Sequence, residues 1–395
     1  MRKLRKIKFK EFIKLQRGFD LPKKDMVDGP YPVMGSTSII GYHKEYKQKA
    51  PGVITGRSGS LGKLQYINKK YWPHNTSLWI KDFKGNFPKY VYYFLHSIDF
   101  KNFNAGVGVP TLNRNHLDNY DIETHEIDDQ KKIATILSNY DDLIENNTKR
   151  IQLLEKIAKL IYDEWFVKFR FPGHENVKMA YNEDLKKEIP KGWEVKKLID
   201  LGYANTGKTP STKDKENYGT YMPFIRPPDM HNGMFCIQTT IKISKKGNET
   251  QKKKTLEANT LIVSCIGTVG LVNITSEQSQ TNQQINALII KDRNHLEYLY
   301  FKLKSLRLYL ENLGACGATM TNVSKGKFES IKIIKPSDDL LEKYHKMISP
   351  IFCEIKNILI KNQNLQKTRD QLLPKLISGV VDVSDLDIRV PEVEA

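Results

Sequence analysis

The feature that most constrains the fold of this sequence is a long row of mostly apolar residues, spaced alternately three and four positions apart. The row consists of Leu137, Tyr140, Ile144, Asn147, Ile151, Leu154, Ala158, Ile161 and Trp165. This heptad spacing predicts a helix that buries one narrow stripe against a second helix. We expect that helix to run from about Ile133 to about Lys168. Asn147 lies inside the stripe, where a polar residue fixes the register of a helix pair and lowers its stability.

The same row returns near the C-terminus, with every member displaced by the same number of positions. Its members are Ile348, Ile351, Ile355, Ile358, Asn362, Leu365, Arg369, Leu372 and Leu376. Two long helices with matching apolar stripes in one chain are expected to pack on each other. The alternative is a pair of unrelated helices, each buried in its own core.

An antiparallel pairing of the two helices predicts a definite register. If Asn147 faces Asn362, each remaining layer also finds a partner on the other helix. The predicted core of the helix pair is Leu137, Ile144, Asn147, Ile151, Leu154, Ile351, Ile355, Ile358, Asn362 and Leu365. The layer that pairs Tyr140 with Arg369 is polar, and we expect the guanidinium to stack on the ring there.

Charge indicates the class of partner. The chain of 395 residues has a net charge of +18 and a pI of about 9.4. Such a basic protein usually binds a polyanion, and nucleic acid is the first candidate. The charge is concentrated, because the first 125 residues contain 22 basic and 10 acidic side chains. The chain also has 45 acidic residues, and a generally lysine-rich genome is the alternative explanation of the charge.

Two blocks of mixed α/β character resemble each other weakly, which indicates an internal duplication. Gly59 and Gly62 of the first block match Gly267 and Gly270 of the second at one displacement. The predicted fold class is therefore α+β: two mixed α/β domains are joined by two long antiparallel helices that form a coiled coil, with internal pseudo-twofold duplication. The predicted segments are a first domain (1–126), a central spacer helix (127–171), a linker (172–192), a second domain (193–336), a distal spacer helix (337–378) and a loose C-terminal tail (379–395).

Other functions find weaker support. The stretch Gly202–Thr209 satisfies the P-loop pattern, but Pro210 and turn residues follow where a helix is required, so we expect a polar loop. The stretch Arg226–Asp229 resembles only faintly an amino-methyltransferase motif. A nuclease or methyltransferase that acts alone remains an alternative. Scattered cysteines, no signal peptide and no long apolar run predict a cytoplasmic protein without a metal site or a cofactor of its own.

Hydrogen-bond donors in loops of both blocks are the candidates for DNA contact, because Arg and Lys bind phosphates or guanine edges and Asn and Gln bind adenine. Each of them alone has an ordinary solvated loop side chain as its alternative. The predicted DNA-binding residues are Arg17, Lys23, Lys24, Lys44, Arg57, Ser58, Lys63, His74, Asn75, Thr76, Lys208, Thr209, Ser211, Arg226, Asp229, Thr268, Asn282, Gln283 and Gln284.

Several stretches resemble the specificity (S) subunit of type I restriction-modification systems. In the first block these are RGFDLPKKD (17–25), YPVMGSTSIIGYH (31–43), PGVITGRSGSLGKL (51–64) and WPHNTSLW (72–79). In the second block they are GKTPSTKDKENYGTYMPFIRPPDM (207–230), LIVSCIGTVG (261–270) and TNQQINAL (281–288). The resemblance covers nearly the whole chain and departs at Pro228, where a basic residue is expected.

The resemblance implies a non-catalytic subunit that reads a split, asymmetric site in double-stranded DNA, one half with each domain. It further implies that the helices set the spacing of the half-sites, and that two methyltransferase (M) subunits dock on them. Restriction (R) subunits are further expected partners. S-adenosylmethionine, ATP and Mg are expected on the partner subunits. A coiled-coil DNA-binding scaffold without sequence specificity is the alternative function.

Overall fold

The chain folds into two compact units. The structure, a computed structural model, describes residues 4–104, 106, 110–315 and 321–390. The first unit comprises Met1–Glu145 and Asn364–Ala395, and the second comprises Asn146–Gln363. The boundary between the units falls inside both predicted long helices, so each helix contributes residues to both units.

Both long helices are present. The first long helix is Ile127–Tyr162, followed by a π-helical turn at Asp163–Val167, and the second long helix is Asp338–Ile377. Each begins with two aspartates in its first turn, where a negative charge is favourable at the positive end of the helix dipole. The second long helix ends at Ile377, and Gly379 follows it with a φ of +71°, a left-handed conformation that suits glycine after a helix end.

Within the second unit, the helices pair antiparallel in the predicted register. Asn147 Nδ2 donates to Asn362 Oδ1 over 2.8 Å, and both side chains are more than nine-tenths buried, at 6% and 8% exposed. Further along, Arg150 binds Glu354 over 2.7 Å, so the numbering rises on one helix while it falls on the other. The buried apolar residues of the seam in this unit are Ile151, Ala158, Trp165, Ile348, Ile355 and Ile358, with Leu154, Ile161 and Ile351 partly buried.

In the first unit the helix pair continues with a polar layer that differs from the prediction. Arg369 Nη1 donates to Asp141 Oδ1 over 2.5 Å, and Tyr93 donates its hydroxyl to the other oxygen of the same carboxylate. Among the contacts of the described residues, the predicted stacking of Arg369 on Tyr140 is not found. A carboxylate one residue further along the helix offers a charge-assisted hydrogen bond, which is stronger than a contact with a ring face.

The first unit contains a four-stranded sheet, a three-stranded sheet and a two-stranded sheet around an apolar core. In spatial order, the strands are Lys14–Arg17, Ser77–Asp82, Gly52–Gly56 and Leu64–Ile67; Ile39–His43, Tyr31–Met34 and Trp72–Pro73; and Arg5–Lys8 with Asp121–Thr124. The shorter helices are Phe9–Phe12, Pro88–His96 and Arg114–Asp118. Pro88 begins its helix as predicted, because proline lacks the N–H that a first turn leaves unpaired.

The second unit repeats this plan. In spatial order, its strands are Gly202–Thr206, Ile285–Ile290, Leu261–Ser264, Val272–Thr275 and Phe235–Cys236; Ile241–Ile243, Tyr218–Ile225 and Gln280–Thr281; and Glu194–Lys197 with Lys332–Lys335. Its shorter helices are Leu198–Leu201, Lys245–Glu249, Leu296–Ser305, Arg307–Ala315 and Lys325–Glu329. In each three-stranded sheet the last strand, Trp72–Pro73 or Gln280–Thr281, runs parallel to its neighbour. This shared feature supports the predicted duplication.

Two stretches are more regular than the sequence indicated. The segment 172–192, expected to be a linker, contains an antiparallel hairpin of Met179–Asn182 and Lys187–Pro190. Its turn is closed by Asn182, which accepts from the Leu185 N–H over 3.1 Å. The P-loop pattern lies on the strand Gly202–Thr206, so these residues do not form a phosphate-binding loop.

The described part of the C-terminal tail, 379–390, was expected to be loose, but it packs on the first unit. Val383 is 2% exposed and belongs to the apolar core of that unit. Lys132 donates its ammonium to the carbonyl oxygens of Val383 and Ser384, over 3.3 and 2.6 Å. Val381 packs against the same core, so apolar and polar contacts together hold this part of the tail. In the described part of the chain, no helix combines the length and apolar character needed to cross a membrane.

We predict that replacing Asn147 by alanine destabilises the protein. The variant should lose about 1–3 kcal/mol of unfolding free energy, because Asn362 Oδ1 loses its donor in a buried layer. Chemical denaturation of the whole chain measures this loss. Asn146→Ala is the matched control, because Asn146 is an exposed neighbour in the same helix.

The double variant Asn147→Leu with Asn362→Leu leaves no unpaired amide, and it should be at least as stable as the native chain. A double variant as unstable as Asn147→Ala would contradict this account of the pair.

Candidate nucleic-acid interface

In the first unit, the loops that carry most of the predicted contacts meet at one end of the four-stranded sheet. The strands Lys14–Arg17 and Gly52–Gly56 end there, and the strand Ser77–Asp82 begins there. The Arg57 N–H donates to the Thr76 carbonyl oxygen over 3.0 Å. The predicted residues Arg57, Ser58, His74, Asn75 and Thr76 are thereby brought together. We call these loops, 17–20, 57–63 and 74–76, the first loop cluster.

Side chains fasten the first loop cluster from within. Ser36 donates its hydroxyl to the Thr76 carbonyl oxygen over 2.7 Å. Arg57 Nη1 donates to the Asn75 carbonyl oxygen over 3.3 Å, so this guanidinium helps to hold the loop. Asn75 Nδ2 donates to the carboxylate of Asp20. The cluster therefore presents amide and guanidinium groups from a braced backbone.

A glycine-rich turn in each unit has the backbone that the sequence match indicated. Gly59 and Gly62 have φ angles of +82° and +75°, and their counterparts Gly267 and Gly270 have +75° and +83°. Other residues adopt this left-handed conformation only with strain. Thr268 lies exposed in the turn of the second unit, and Lys63 follows the turn of the first unit, also exposed.

The second unit assembles a second loop cluster, 207–211, 266–270 and 281–284, at the same end of its five-stranded sheet. The Gly207 N–H donates to the Ile285 carbonyl oxygen and the Lys208 N–H to the Thr281 carbonyl oxygen, each over 3.0 Å. Lys208 and Gln283 are exposed there, with Thr209 between them. Thr209 Oγ1 donates to Gln283 Oε1 over 2.5 Å.

Two predicted contact residues of the second unit are buried and engaged within the protein. Asp229, 6% exposed, accepts hydrogen bonds from the backbone N–H groups of Arg226 and Thr240, each over 2.9 Å. Asn282, 7% exposed, uses its side chain to bind Gln284. Burial and these partners favour a supporting role for both, which sequence alone could not distinguish from exposed donors.

Some predicted residues lie apart from the clusters. Lys23 and Lys24 form a short 3₁₀ turn, and Lys44 donates its backbone N–H to Val27 over 2.9 Å. Nothing among the contacts of the described residues ties these three lysines to the first loop cluster. They are exposed, so they fit contacts with phosphates better than contacts with bases.

Sequence analysis missed three residues of these sites. Asp20 and Ser36 hold the first loop cluster, and Thr240 links Arg226 to Asp229. The internal repeat could have revealed Asp20, because Asp20 corresponds to Thr209. The displacement that relates Gly59 to Gly267 does not relate Asp20 to Thr209. The second unit contains the extra helix Lys245–Glu249 between these positions, which changes the displacement.

Chemistry for catalysis is sparse at these loops. In the described ranges, no group of three His, Cys, Asp or Glu side chains is placed to hold a metal ion. Beside the exposed carboxylate of Asp20, the loops present amides, hydroxyls and cations, which bind DNA edges and phosphates.

Comparison with known proteins gives consistent matches. A family model described as "Type I restriction modification DNA specificity domain" matches residues 1–156 and 190–367. The specificity subunit of the type I restriction enzyme HindI from Haemophilus influenzae is 35% identical over 64% of this chain and 67% of that protein. The MjaIX specificity subunit from Methanocaldococcus jannaschii is 32% identical over 76% of this chain and 71% of that protein.

A solved structure shows the same fold. It is the crystal structure of the S subunit of a type I restriction-modification system from M. genitalium. The likeness covers 94% of this chain and 96% of that chain, with a TM-score of 0.65 and 17% sequence identity.

We predict that Asp229 supports structure rather than DNA contact. Asp229→Ala should lower the unfolding free energy by about 1–3 kcal/mol, because the N–H groups of Arg226 and Thr240 lose their acceptor. Thermal unfolding of the whole chain measures the loss, and Ser211→Ala, at an exposed position, is the control. An Asp229→Ala chain with native stability but weakened DNA binding would show that the carboxylate faces DNA instead.

Proposed function

The chain belongs to the type I restriction-modification DNA specificity family, and from this premise we propose that it reads a two-part DNA site, one half with each unit. The observation that carries the proposal is the repeated loop cluster. Two units of one plan present braced loops at the same end of their sheets, and each displays amides and cations. Two similar but unequal readers suit a split, asymmetric target.

Charge supports DNA as the partner. The chain has a net charge of +18, which attracts a polyanion such as DNA. The exposed lysines of the first unit, Lys23, Lys24, Lys44 and Lys63, would bind phosphates and fix the register of the protein on the duplex. Base choice would then fall to the loop clusters. Because restriction enzymes act on DNA in the cytoplasm, we place the protein there.

The chain is proposed to act without catalysis of its own. Methylation and cleavage would come from two methyltransferase subunits and from restriction subunits, which would carry S-adenosylmethionine, ATP and Mg. The helix pair is the proposed docking surface for the methyltransferase subunits.

An apolar stripe on the second unit supports this docking site. It comprises Leu153, Ile157 and Leu160 of the first long helix and Val167 of the π-helical turn, which are 62%, 47%, 53% and 56% exposed. Leu153, Ile157 and Leu160 are spaced by four and three positions and so share one face of the helix, and Val167 follows in the π-helical turn. Large apolar side chains grouped on a surface mark an interaction site, because exposed apolar area is unfavourable in water.

We predict a split methylation motif. The chain, expressed with the methyltransferase subunit from its own locus in a host without adenine methylation, should direct methylation to two short half-sites around an unread gap. Sequencing of modified bases reads the motif directly. A continuous motif would mean that one unit alone reads DNA. A complex that forms but methylates nothing, with DNA affinity that depends on salt and not on sequence, would support the scaffold alternative.

We predict that a charge in the apolar stripe weakens docking. Ile157→Glu should reduce co-purification of the methyltransferase subunit at least tenfold, because it places a carboxylate in an apolar contact. Ile199→Glu is the matched control, since Ile199 is 46% exposed in the same unit but outside the stripe. Equal co-purification of both variants would remove the stripe from the proposed interface.

A further inference from the structure

Each unit contains a three-residue loop with the same backbone hydrogen bonds. Residues 74–76 connect the short strand Trp72–Pro73 to the next strand, Ser77–Asp82. Residues 282–284 likewise connect Gln280–Thr281 to Ile285–Ile290. His74 N donates to the Met34 carbonyl oxygen over 2.9 Å, and Asn282 N donates to the Ile225 carbonyl oxygen over 3.1 Å. These two acceptors are the last residues of corresponding strands. The two loops are therefore equivalent positions of the duplicated fold.

A neighbouring loop approaches each of these loops closely in the same manner. The Phe19 N–H donates to the Pro73 carbonyl oxygen over 2.8 Å, as the Lys208 N–H does to Thr281 over 3.0 Å. A Cβ on Gly18 would lie 2.1 Å from the His74 carbonyl oxygen, and one on Gly207 would lie 2.2 Å from the Asn282 carbonyl oxygen. Glycine is required at both positions, because any side chain would separate the two loops.

The first residue of each loop is engaged with the third. The His74 ring nitrogen Nδ1 lies 3.1 Å from the Thr76 hydroxyl, and Asn282 donates to the Gln284 side chain over 2.7 Å. Gln284 in turn donates its backbone N–H to the side-chain oxygen Oδ1 of Asn282 over 3.2 Å. The outer residues thus brace the loop, and the middle residue is half-buried in the first unit (Asn75) and exposed in the second (Gln283).

Both middle residues, Asn75 and Gln283, are carboxamides, and each is bound by the second residue after the close-packed glycine. Asn75 Nδ2 donates to the Asp20 carboxylate, and Gln283 Oε1 accepts from the Thr209 hydroxyl over 2.5 Å. The binding partner differs in charge and chemistry between the units, whereas the carboxamide is kept. If this side chain served only to hold the two loops together, other hydrogen-bonding residues could replace the carboxamide.

Each amide keeps the hydrogen-bonding edge that matches adenine. Asn75 uses one N–H on Asp20 and retains its oxygen and a second N–H. Gln283 uses one lone pair on Thr209 and retains its second lone pair and both N–H groups. An amide oxygen and N–H together bind the N6 amino group and N7 of adenine in the major groove.

We propose that Asn75 and Gln283 each read one adenine, in the first and second half-site respectively, and that Asp20 and Thr209 are positioning residues that fix the orientation of these amides. This proposal rests on the proposed function, since it assigns single bases within the two-part site. It names one specificity-determining side chain in each unit.

The test uses the full complex of this chain with its methyltransferase subunit. Once the native motif is known, methylation rates are compared on duplexes that carry each base pair at each position. Asn75→Ala should lose discrimination at one A·T pair of one half-site, by roughly ten- to a hundredfold. The other half-site should be read as before, which shows that the variant is folded. Gln283→Ala should do the same in the opposite half-site.

The positioning residues are tested by conservative rescue. Asp20→Ala should reduce base discrimination at the same position as Asn75→Ala. Asp20→Asn still offers an acceptor and should retain most of the discrimination. Thr209→Val should act like Gln283→Ala, and Thr209→Ser should restore reading. Gln366→Ala, an exposed carboxamide on the second long helix, is the control and should leave the motif unchanged.

The outcomes separate the two proposals. If the native complex yields no split motif, the proposed function itself fails. If the native motif is split, three results with Asn75→Ala would overturn the reading role. The variant could change no position, it could change a position that is not adenine, or it could change all positions of the half-site equally. Loss of all methylation by both Asn75→Ala and the milder Asn75→Ser would show that the side chain is needed only for structure, and would overturn the proposal as well.

Discussion

The hydrogen bond between Asn147 and Asn362 is the interaction on which the arrangement of the helix pair depends. Apolar layers alone tolerate a slip by one heptad, because one isoleucine packs against another almost as well as against its intended partner. A slip would leave two buried amides facing apolar side chains, at a cost of several kcal/mol. The register in turn decides which helical residues enter each core, Leu137 in the first unit and Ile348 in the second.

The loop clusters follow a different principle, in which the backbone carries the structure. The bonds that hold the two equivalent loops run mainly between N–H and carbonyl groups, such as His74 to Met34 and Asn282 to Ile225. Glycines supply the close contacts and the left-handed turns. Such a frame makes few demands on the side chains at its surface, so the two units can share one plan while they present different groups to DNA.

Periodicity predicted the parts of the fold that repeat a local rule. The two long helices, the Asn147–Asn362 register, the start at Pro88 and the paired glycine turns follow from spacing and from turn chemistry. The burial of Asp229, the brace from Ser36 and the docking of Val383 could not be predicted, because each depends on a partner distant in sequence. The hairpin Met179–Asn182 with Lys187–Pro190 was missed because its polar strands lack the apolar alternation of a buried sheet.

The backbone frame of the two loops has a consequence for how such a protein acquires new targets. Neither side chain at the tip, Asn75 or Gln283, belongs to the apolar core, and each is bound by one side chain of the neighbouring loop, so exchanging it leaves the backbone frame of the loop in place. Most substitutions in proteins are limited by their cost in folding stability. Here a single codon change could redirect one half of the recognised sequence while the other half stays constant, which makes the repertoire of targets accessible by small, separately selectable steps.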